Sequence, residues 1–281
     1  MNHLTDYVVE QAKAILAIDS PTGFTARVAE YVMSEYKKLG YDPVLTNKGG
    51  IFVCVSEGDG TPTGKPEDGP ILLQAHIDTL GAMVCSINEK GRLALSPLGG
   101  MNPNNAEAEN CRVYTREGKV YTGTFQMKNA SIHVNGSYNS TARSYDVMEV
   151  VLDELVESKA DTLALGIMPG DMVCFDPRTV VTDSGFIKSR FLDDKLSVAI
   201  LLGYARYLKE NNVHTARRIY QHITVFEEVG HGGSGSVPAE VTEILAVDMG
   251  CVGDGLGCKE TQVSICAKDS GGPYHYDVVS A

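Results

Sequence analysis

The first eighty residues alternate between helically spaced apolar positions and short continuous apolar runs. Helical spacing predicts helices over residues 6–16 and 25–38, and Gly40 is well placed to end the second. The runs at residues 51–55 and 71–75 are bounded by glycine and are typical of buried strands. This order of helices and buried strands predicts the beginning of an α/β domain.

The pattern changes near residue 82 into short alternating segments separated by glycine and asparagine. We predict a small β-rich module here, with one helix over residues 147–158 and one further strand over residues 172–175. The short alternating strands of this module are predicted at residues 92–95, 119–121, 125–127 and 131–134.

The α/β pattern returns after residue 190. A long helix is predicted over residues 193–210, followed by apolar strands at 222–226 and 244–247, each of which leads directly into acidic residues. We therefore predict one catalytic α/β domain made of residues 1–81 and 188–281, interrupted by a β-rich insert at residues 82–187. Two sequential domains remain the alternative.

Composition and charge argue against membrane, secreted and nucleic-acid-binding proteins. The chain has 281 residues, of which 43% are hydrophobic, but no stretch approaches the roughly 18 consecutive apolar residues of a membrane span. The first residues lack the basic and apolar regions of a secretory signal, and the seven cysteines form no CxxC pair, so we expect a cytoplasmic protein with reduced thiols. A net charge of −12 argues against nucleic acid as a partner.

Four short segments carry residue types that bind metals. In the first, His76 and Asp78 end a predicted buried strand, and residues at i and i+2 of an extended chain share a face. His76 can therefore bind a metal through one ring nitrogen while Asp78 holds the other. A histidine and an aspartate that only cap a turn remain the alternative for this segment taken alone.

The other three segments supply carboxylates. Asp193 and Asp194 precede a helix, where two acids are also explained as an N-cap and a partner of the helix dipole. Glu227 and Glu228 end an apolar strand and enter a glycine-rich loop, and Asp248 follows another strand. Paired carboxylates at a buried strand end repel each other unless a cation or a shared proton intervenes.

In parallel α/β sheets, ligand sites lie beyond the carboxyl ends of the strands. Three of the four segments are predicted at such ends, and the fourth opens a helix. One histidine and several carboxylates suit Zn²⁺, Co²⁺ or Mn²⁺, and the absence of cysteine from the four segments argues against a structural zinc site. A glutamate beside the metals that binds neither of them would serve as a general base. The sequence therefore indicates a hydrolytic metal site.

Taken together, the segments AHIDTLGAMV, KSRFLDDKLSVA, FEEVGHGG and AVDMG resemble the tetrahedral (glutamyl/deblocking) aminopeptidase family of dinuclear zinc peptidases. The resemblance extends over nearly all of the chain, from Ser20 to Tyr274. It implies a three-layer zinc-peptidase sheet, peptide substrates and hydrolysis of N-terminal residues through a metal-bridging water. It also implies that the insert is a PDZ-like dimerisation domain and that dimers assemble further into dodecamers.

The resemblance also assigns roles to individual residues. The implied metal ligands are His76 and Asp248 at the first ion, Glu228 at the second and Asp193 as the bridge between two ions, zinc or else cobalt or manganese. Glu227 would be the general base, and Asp78 would orient the histidine.

One departure from the family pattern concerns the second metal. Family members carry a further histidine late in the catalytic domain, and we expect that ligand, and the C-terminal part of the domain, to be missing from this sequence. The second metal site would then be incomplete. A truncated relative acting as a structural or regulatory subunit is the main alternative, and a glycoside hydrolase using Glu227 is a weaker one, since the chain has no tryptophan.

Overall fold

Two units make up the chain, residues 1–247 and residues 248–281. The computed structural model describes residues 3–63 and 68–275. The domain boundaries predicted at residues 82 and 187 fall inside the first unit and stay a prediction.

The described part of the first unit contains four α-helices. They are α1 (His3–Leu16), α2 (Ala26–Lys38), α3 (Lys159–Ala164) and α4 (Leu192–Glu210). The three helices predicted from apolar spacing at these places are confirmed. Helix α2 ends before Gly40, whose φ of 81° is the left-handed conformation expected after a helix.

A mixed five-stranded sheet is the first of two β structures in this unit. Its strands, in spatial order, are β1 (Val44–Leu45), β2 (Ile51–Ser56), β12 (Ile219–Thr224), β3 (Ile71–His76) and β13 (Glu243–Ala246). Strands β3, β12 and β13 are parallel neighbours, so their carboxyl ends share one edge of the sheet. The α/β fold class predicted from the sequence is thereby confirmed, in a sheet that also contains the antiparallel strands β1 and β2.

Six antiparallel strands from the chain segment between β3 and β12 close into a barrel. They are β4 (Gly81–Ile87), β5 (Leu93–Leu98), β6 (Glu109–Tyr114), β7 (Val120–Met127), β8 (Met148–Leu152) and β9 (Met172–Phe175). A short hairpin follows, formed by β10 (Val180–Val181) and β11 (Ile187–Lys188).

Two predictions for the β-rich module are wrong. The helix expected over residues 147–158 is strand β8, because its apolar run pairs with β7 and is buried in the barrel interior. The short helix α3 follows this strand and begins after Ser158 with a capping box to Asp161. The segment at residues 131–134 forms turns, not a strand, and its side chains are exposed.

The sheet and the barrel have separate hydrophobic cores. In the first, α1, α2 and α4 pack on β2, β3 and β12, and the second fills the barrel. A buried polar network crosses the first core, where Gln221 accepts a hydrogen bond from the Tyr36 hydroxyl at 2.6 Å and donates one to the Leu201 carbonyl at 3.0 Å. These bonds satisfy both ends of an amide that is fully buried.

The second unit is described through residue 275 and consists of turns with one isolated bridge between Lys268 and Pro273. Among the described residues of the whole chain, no helix is both long enough and apolar enough to cross a bilayer.

Candidate active site

The site begins at the carboxyl end of β3, where the chain leaves the sheet through His76 and Asp78. His76 is the last residue of β3, and both side chains are buried. The His76 Nδ1 atom lies 2.9 Å from the Asp78 carbonyl oxygen and 3.5 Å from its Oδ1. Because these acceptors fix the proton on Nδ1, Nε2 is the nitrogen that is available to a metal ion.

Two adjacent aspartates open α4 at the same edge of the sheet. Non-helical dihedral angles at Asp193 and Asp194 precede the regular helix, and the peptide bond between them is cis. The Asp193 Oδ1 lies 3.1 Å from His76 Nε2, and its side chain is half exposed. Asp194 is buried, and its Oδ2 accepts the backbone N–H of His76 at 3.0 Å. Asp194 thus ties the beginning of α4 to the end of β3.

The third group of site residues lies in the turn that follows β12. Thr224 at the end of β12 pairs with His76 in parallel register, which brings the next residues to the same edge. The chain turns at Phe226, whose φ is 69°, into a short 3-10 helix that begins at Glu227. The Glu227 Oε2 lies 3.4 Å from His76 Nε2, and half of its side chain is exposed.

The Asp78 carboxylate joins these segments. It accepts the backbone N–H groups of Glu227 and Glu228 at 3.2 and 3.3 Å, and the hydroxyl of Thr22 at 2.7 Å. Burial opposes its charge, but hydrogen bonds from His76 and Thr22 outweigh burial and hold the pKa of Asp78 below its ordinary value. Asp78 is therefore an ionised anchor for the metal-site residues around it.

The charged groups at the site shift one another's pKa values. Burial disfavours the imidazolium of His76, but hydrogen bonds to Asp193 and Asp78 and the charge of Asp194 together raise its pKa to about 11. Burial, followed by the negative charge of Asp193, raises the pKa of Glu228 to about 7. An imidazole nitrogen and several carboxylates that repel one another fit a divalent cation of the Zn²⁺, Co²⁺ or Mn²⁺ type.

Asp248 has to be considered by itself, because it is the first residue of the second unit. Its neighbour Val247 ends the first unit and donates its backbone N–H to the Gln74 carbonyl of β3 at 2.8 Å. The assignment of Asp248 as a metal ligand stays a prediction.

A cavity of about 570 Å³ lies beside the turn after β12. Its lining includes Phe24, Arg27, Met33, Lys37, Lys48 and Phe226. The Lys48 ammonium donates to the His231 carbonyl, and the His231 ring stacks on Phe226 with ring centroids 5.1 Å apart. The sequence analysis did not identify Lys48 or Thr22, because their contacts with His231 and Asp78 join residues far apart in the chain.

The sequence profile of the M42 glutamyl aminopeptidase family matches residues 60–281. The chain belongs to this family. Its activity class is accordingly that of a metal-dependent aminopeptidase, as the sequence resemblance had implied.

Individual relatives agree with this family assignment. YhfE of Bacillus subtilis, whose name describes an aminopeptidase, is 43% identical over 96% of this chain and 76% of its own length. The glutamyl aminopeptidase of Lactococcus lactis is 28% identical over 80% of this chain, which spans 61% of that protein. The TET1 peptidase structure of Pyrococcus horikoshii has a TM-score of 0.79 at 22% identity, covering 97% of this chain and 79% of that one, and it supports the fold alone.

Proposed function

We propose that the chain removes N-terminal residues from peptides with Glu227 as the general base, at a site that holds two divalent metal ions. The observation that carries this proposal is the position of His76 Nε2, which lies 3.1 Å from Asp193 Oδ1 and 3.4 Å from Glu227 Oε2. An imidazole nitrogen available for a metal, with one half-exposed carboxylate that can bind the ion and a second that can accept a proton, suits a hydrolytic metal site.

The metal ligands in this proposal are His76, Asp193, Glu228 and Asp248. When bound, the two ions would lower the pKa of a water molecule and polarise the scissile carbonyl. Zinc is the favoured metal, although cobalt or manganese suit the same donors. Asp78 keeps the imidazole oriented through its contacts with Nδ1.

Glu227 differs from Glu228 in its surroundings, and this difference supports separate roles. Half of the Glu227 side chain is exposed, so its carboxylate is open to solvent and substrate, whereas Glu228 is more deeply buried. We assign to Glu227 the acceptance of the water proton and its return to the leaving amine. We assign to Glu228 the binding of the second ion.

The cavity beside Phe226 supports a peptide as the substrate. Its volume of about 570 Å³ falls within the usual range for a small-ligand site. Arg27, Lys37 and Lys48 line it together with one acid, Glu30, although the chain as a whole carries a net charge of −12. We propose that it receives the part of the peptide beyond the scissile bond and favours acidic residues there.

The assembly and cellular location are further parts of the proposal. We propose that residues 1–81 and 188–281 form the catalytic domain and that residues 82–187 are a PDZ-like insert through which the chain dimerises. The TET1 peptidase of Pyrococcus horikoshii is described as assembling into a tetrahedron or an octahedral shell, which supports a homo-oligomer. The described cysteines are unpaired, in keeping with a cytoplasmic protein. Sedimentation measurements would test the assembly.

The decisive experiment measures metal content per chain and hydrolysis of aminoacyl-nitroanilides on the same preparation. We expect bound divalent metal and turnover that a chelator abolishes. The Glu227→Gln variant should keep its metal and lose turnover. Bound metal without turnover in the unmodified chain would instead favour a structural or regulatory subunit, and aryl-glycoside hydrolysis that survives chelator would favour a glycosidase.

A further inference from the structure

The segment of residues 18–22, which connects α1 to α2, runs beside the turn that carries His76 and Asp78. Ser20 donates its hydroxyl to the Ile77 carbonyl at 2.8 Å, and its own carbonyl accepts the Thr79 backbone N–H at 2.9 Å. Thr22 in turn donates its backbone N–H to the Thr79 carbonyl at 3.1 Å. These bonds form a short ladder that fixes the 18–22 segment to the His76–Asp78 turn.

The side chain of Thr22 makes the shortest contact to the Asp78 carboxylate. Its hydroxyl donates to Oδ2 at 2.7 Å, whereas the backbone N–H groups of Glu227 and Glu228 approach at 3.2 and 3.3 Å and His76 Nδ1 at 3.5 Å. Thr22 and Asp78 are both buried, so water cannot replace a lost hydroxyl without opening the site. The orientation of Asp78, and through it that of the imidazole, depends on Thr22 more than on the weaker amide contacts.

The other end of the 18–22 segment is fixed to the barrel. Asp19 is buried and accepts two hydrogen bonds from Arg112 of β6, from Nε at 2.6 Å and from Nη2 at 2.8 Å. Tyr114 of β6 donates its hydroxyl to the same carboxylate at 2.6 Å. A paired guanidinium and carboxylate with two parallel bonds form a rigid and directional link.

Helix α4 holds the segment from a third side. Lys195, which follows Asp193 and Asp194, is buried and donates to the Ile18 carbonyl at 2.6 Å. The segment is therefore bonded to the barrel, to the helix that begins with the aspartates and to the turn after β3.

We propose that Thr22 is a positioning residue that holds Asp78, and that Arg112 of the barrel acts on the metal site through Asp19 and Thr22. The inference rests on the proposed function, because it concerns how the metal ligand His76 is oriented. It makes the barrel a part of the catalytic machinery in addition to any role in assembly.

The test uses the full chain and two readouts, Co²⁺ affinity from the visible absorption of the bound ion and kcat and KM on an aminoacyl-nitroanilide. Thr22→Val removes the hydroxyl at nearly constant volume and should weaken Co²⁺ binding and lower kcat by about 10- to 100-fold each, with little change in KM. Thr22→Ser keeps the hydroxyl and should restore both values to within about threefold of the unmodified chain. Thr22→Ala removes the hydroxyl in a second way, should the valine variant not fold.

The link to the barrel is tested by a double-mutant cycle. Arg112→Met should lower Co²⁺ affinity by a smaller factor, and its effect should largely disappear when Thr22→Val is already present, because both changes act on one path. Arg143→Met is the matched control. Arg143 also forms a two-bonded pair, with Glu107, in the connections between barrel strands, and the hydrogen bonds of its side chain in the described part of the chain go to Glu107, Tyr138 and Thr141. Arg143→Met should leave Co²⁺ affinity unchanged.

The outcomes separate this inference from the proposed function. If Co²⁺ affinity and kcat of Thr22→Val and Thr22→Ala stay within twofold of the unmodified chain, the role of Thr22 is overturned. If the losses of Co²⁺ affinity in Arg112→Met and Thr22→Val are strictly additive, the link through Arg112 is overturned. An unmodified chain that binds Co²⁺ without turnover would contradict the aminopeptidase proposal, while Co²⁺ affinity would still decide the inference. An unmodified chain that binds no Co²⁺ would overturn both.

Discussion

A buried histidine away from the metal ligands gives a sharp prediction for stability. His222 lies in the centre of β12 and is 1% exposed. Its Nδ1 lies 3.1 Å from the Gln74 amide nitrogen, which can only donate, so Nδ1 accepts and the ring is neutral. Burial, followed by the positive charge of Lys48, lowers the pKa of His222 to about 4. Protonation of Nδ1 in the folded chain would cost the hydrogen bond from Gln74 and is therefore unfavourable.

The size of the effect follows from the pKa difference between the folded and unfolded chain. The pKa falls from an ordinary 6.5 to about 4, which corresponds to about 3 kcal/mol of folding free energy. Because the unfolded chain binds the proton more tightly, stability rises with pH in this range. The penalty is absent above pH 6.5, grows as the pH falls and is complete below pH 4.

The assay compares thermal unfolding at pH 7.5 and pH 4.5 in the presence of chelator. His222→Gln keeps a hydrogen-bonding amide but cannot be protonated. Between pH 7.5 and pH 4.5 its Tm should therefore fall less than the Tm of the unmodified chain, and the two falls should differ by roughly 5–10 °C. His214→Gln is the matched control, because His214 is exposed. Parallel pH profiles for the unmodified chain and His222→Gln would refute the reasoning.

Three further predictions concern the site. Glu227→Gln should retain metal, as measured by elemental analysis, but lower kcat by about 10²- to 10⁴-fold, because the general base is lost; a near-normal rate would remove Glu227 from that role. Glu228→Ala should lose metal while remaining folded by circular dichroism, and unchanged metal content would contradict its role as a ligand. Arg27→Met and Lys37→Met should each raise KM for tripeptides with aspartate at the second position but not for tripeptides with alanine there. An equal rise in KM for both kinds of tripeptide would contradict the proposal that the cavity favours acidic residues.

The fold could be predicted where apolar periodicity and burial agree. Residues 51–55 and 71–75 are short apolar runs, and they form β2 and β3 because their apolar side chains pack in one core with those of α1, α2 and α4. The helix predicted over residues 147–158 was wrong because Met148–Leu152 forms a five-residue strand that pairs with β7 in the barrel. Residues 222–226 were predicted two to three residues late, since the run includes Phe226, where the positive φ has already ended the strand.

The site was predictable in its composition but not in its supporting contacts. His76 and Asp78 stand two residues apart on one strand, so their contact follows from local geometry. Thr22 is 56 positions from Asp78, and Arg112 is 93 positions from Asp19. Nothing in the local sequence distinguishes this threonine or this arginine from a surface residue, and only the folded topology brings them to their partners.

The register of β3 and β12 decides whether the site forms at all. Thr224 lies opposite His76, and a slip of one residue would shift the strand by about 3.3 Å and turn its side chains to the other face. Gln221 opposes such a slip, because its amide is bonded to Tyr36 of α2 and to the Leu201 carbonyl of α4, and a shifted strand would leave these buried groups without partners. Helix α4 begins with the aspartates of the site. One buried glutamine therefore fixes β12 against the helix that supplies the facing carboxylates.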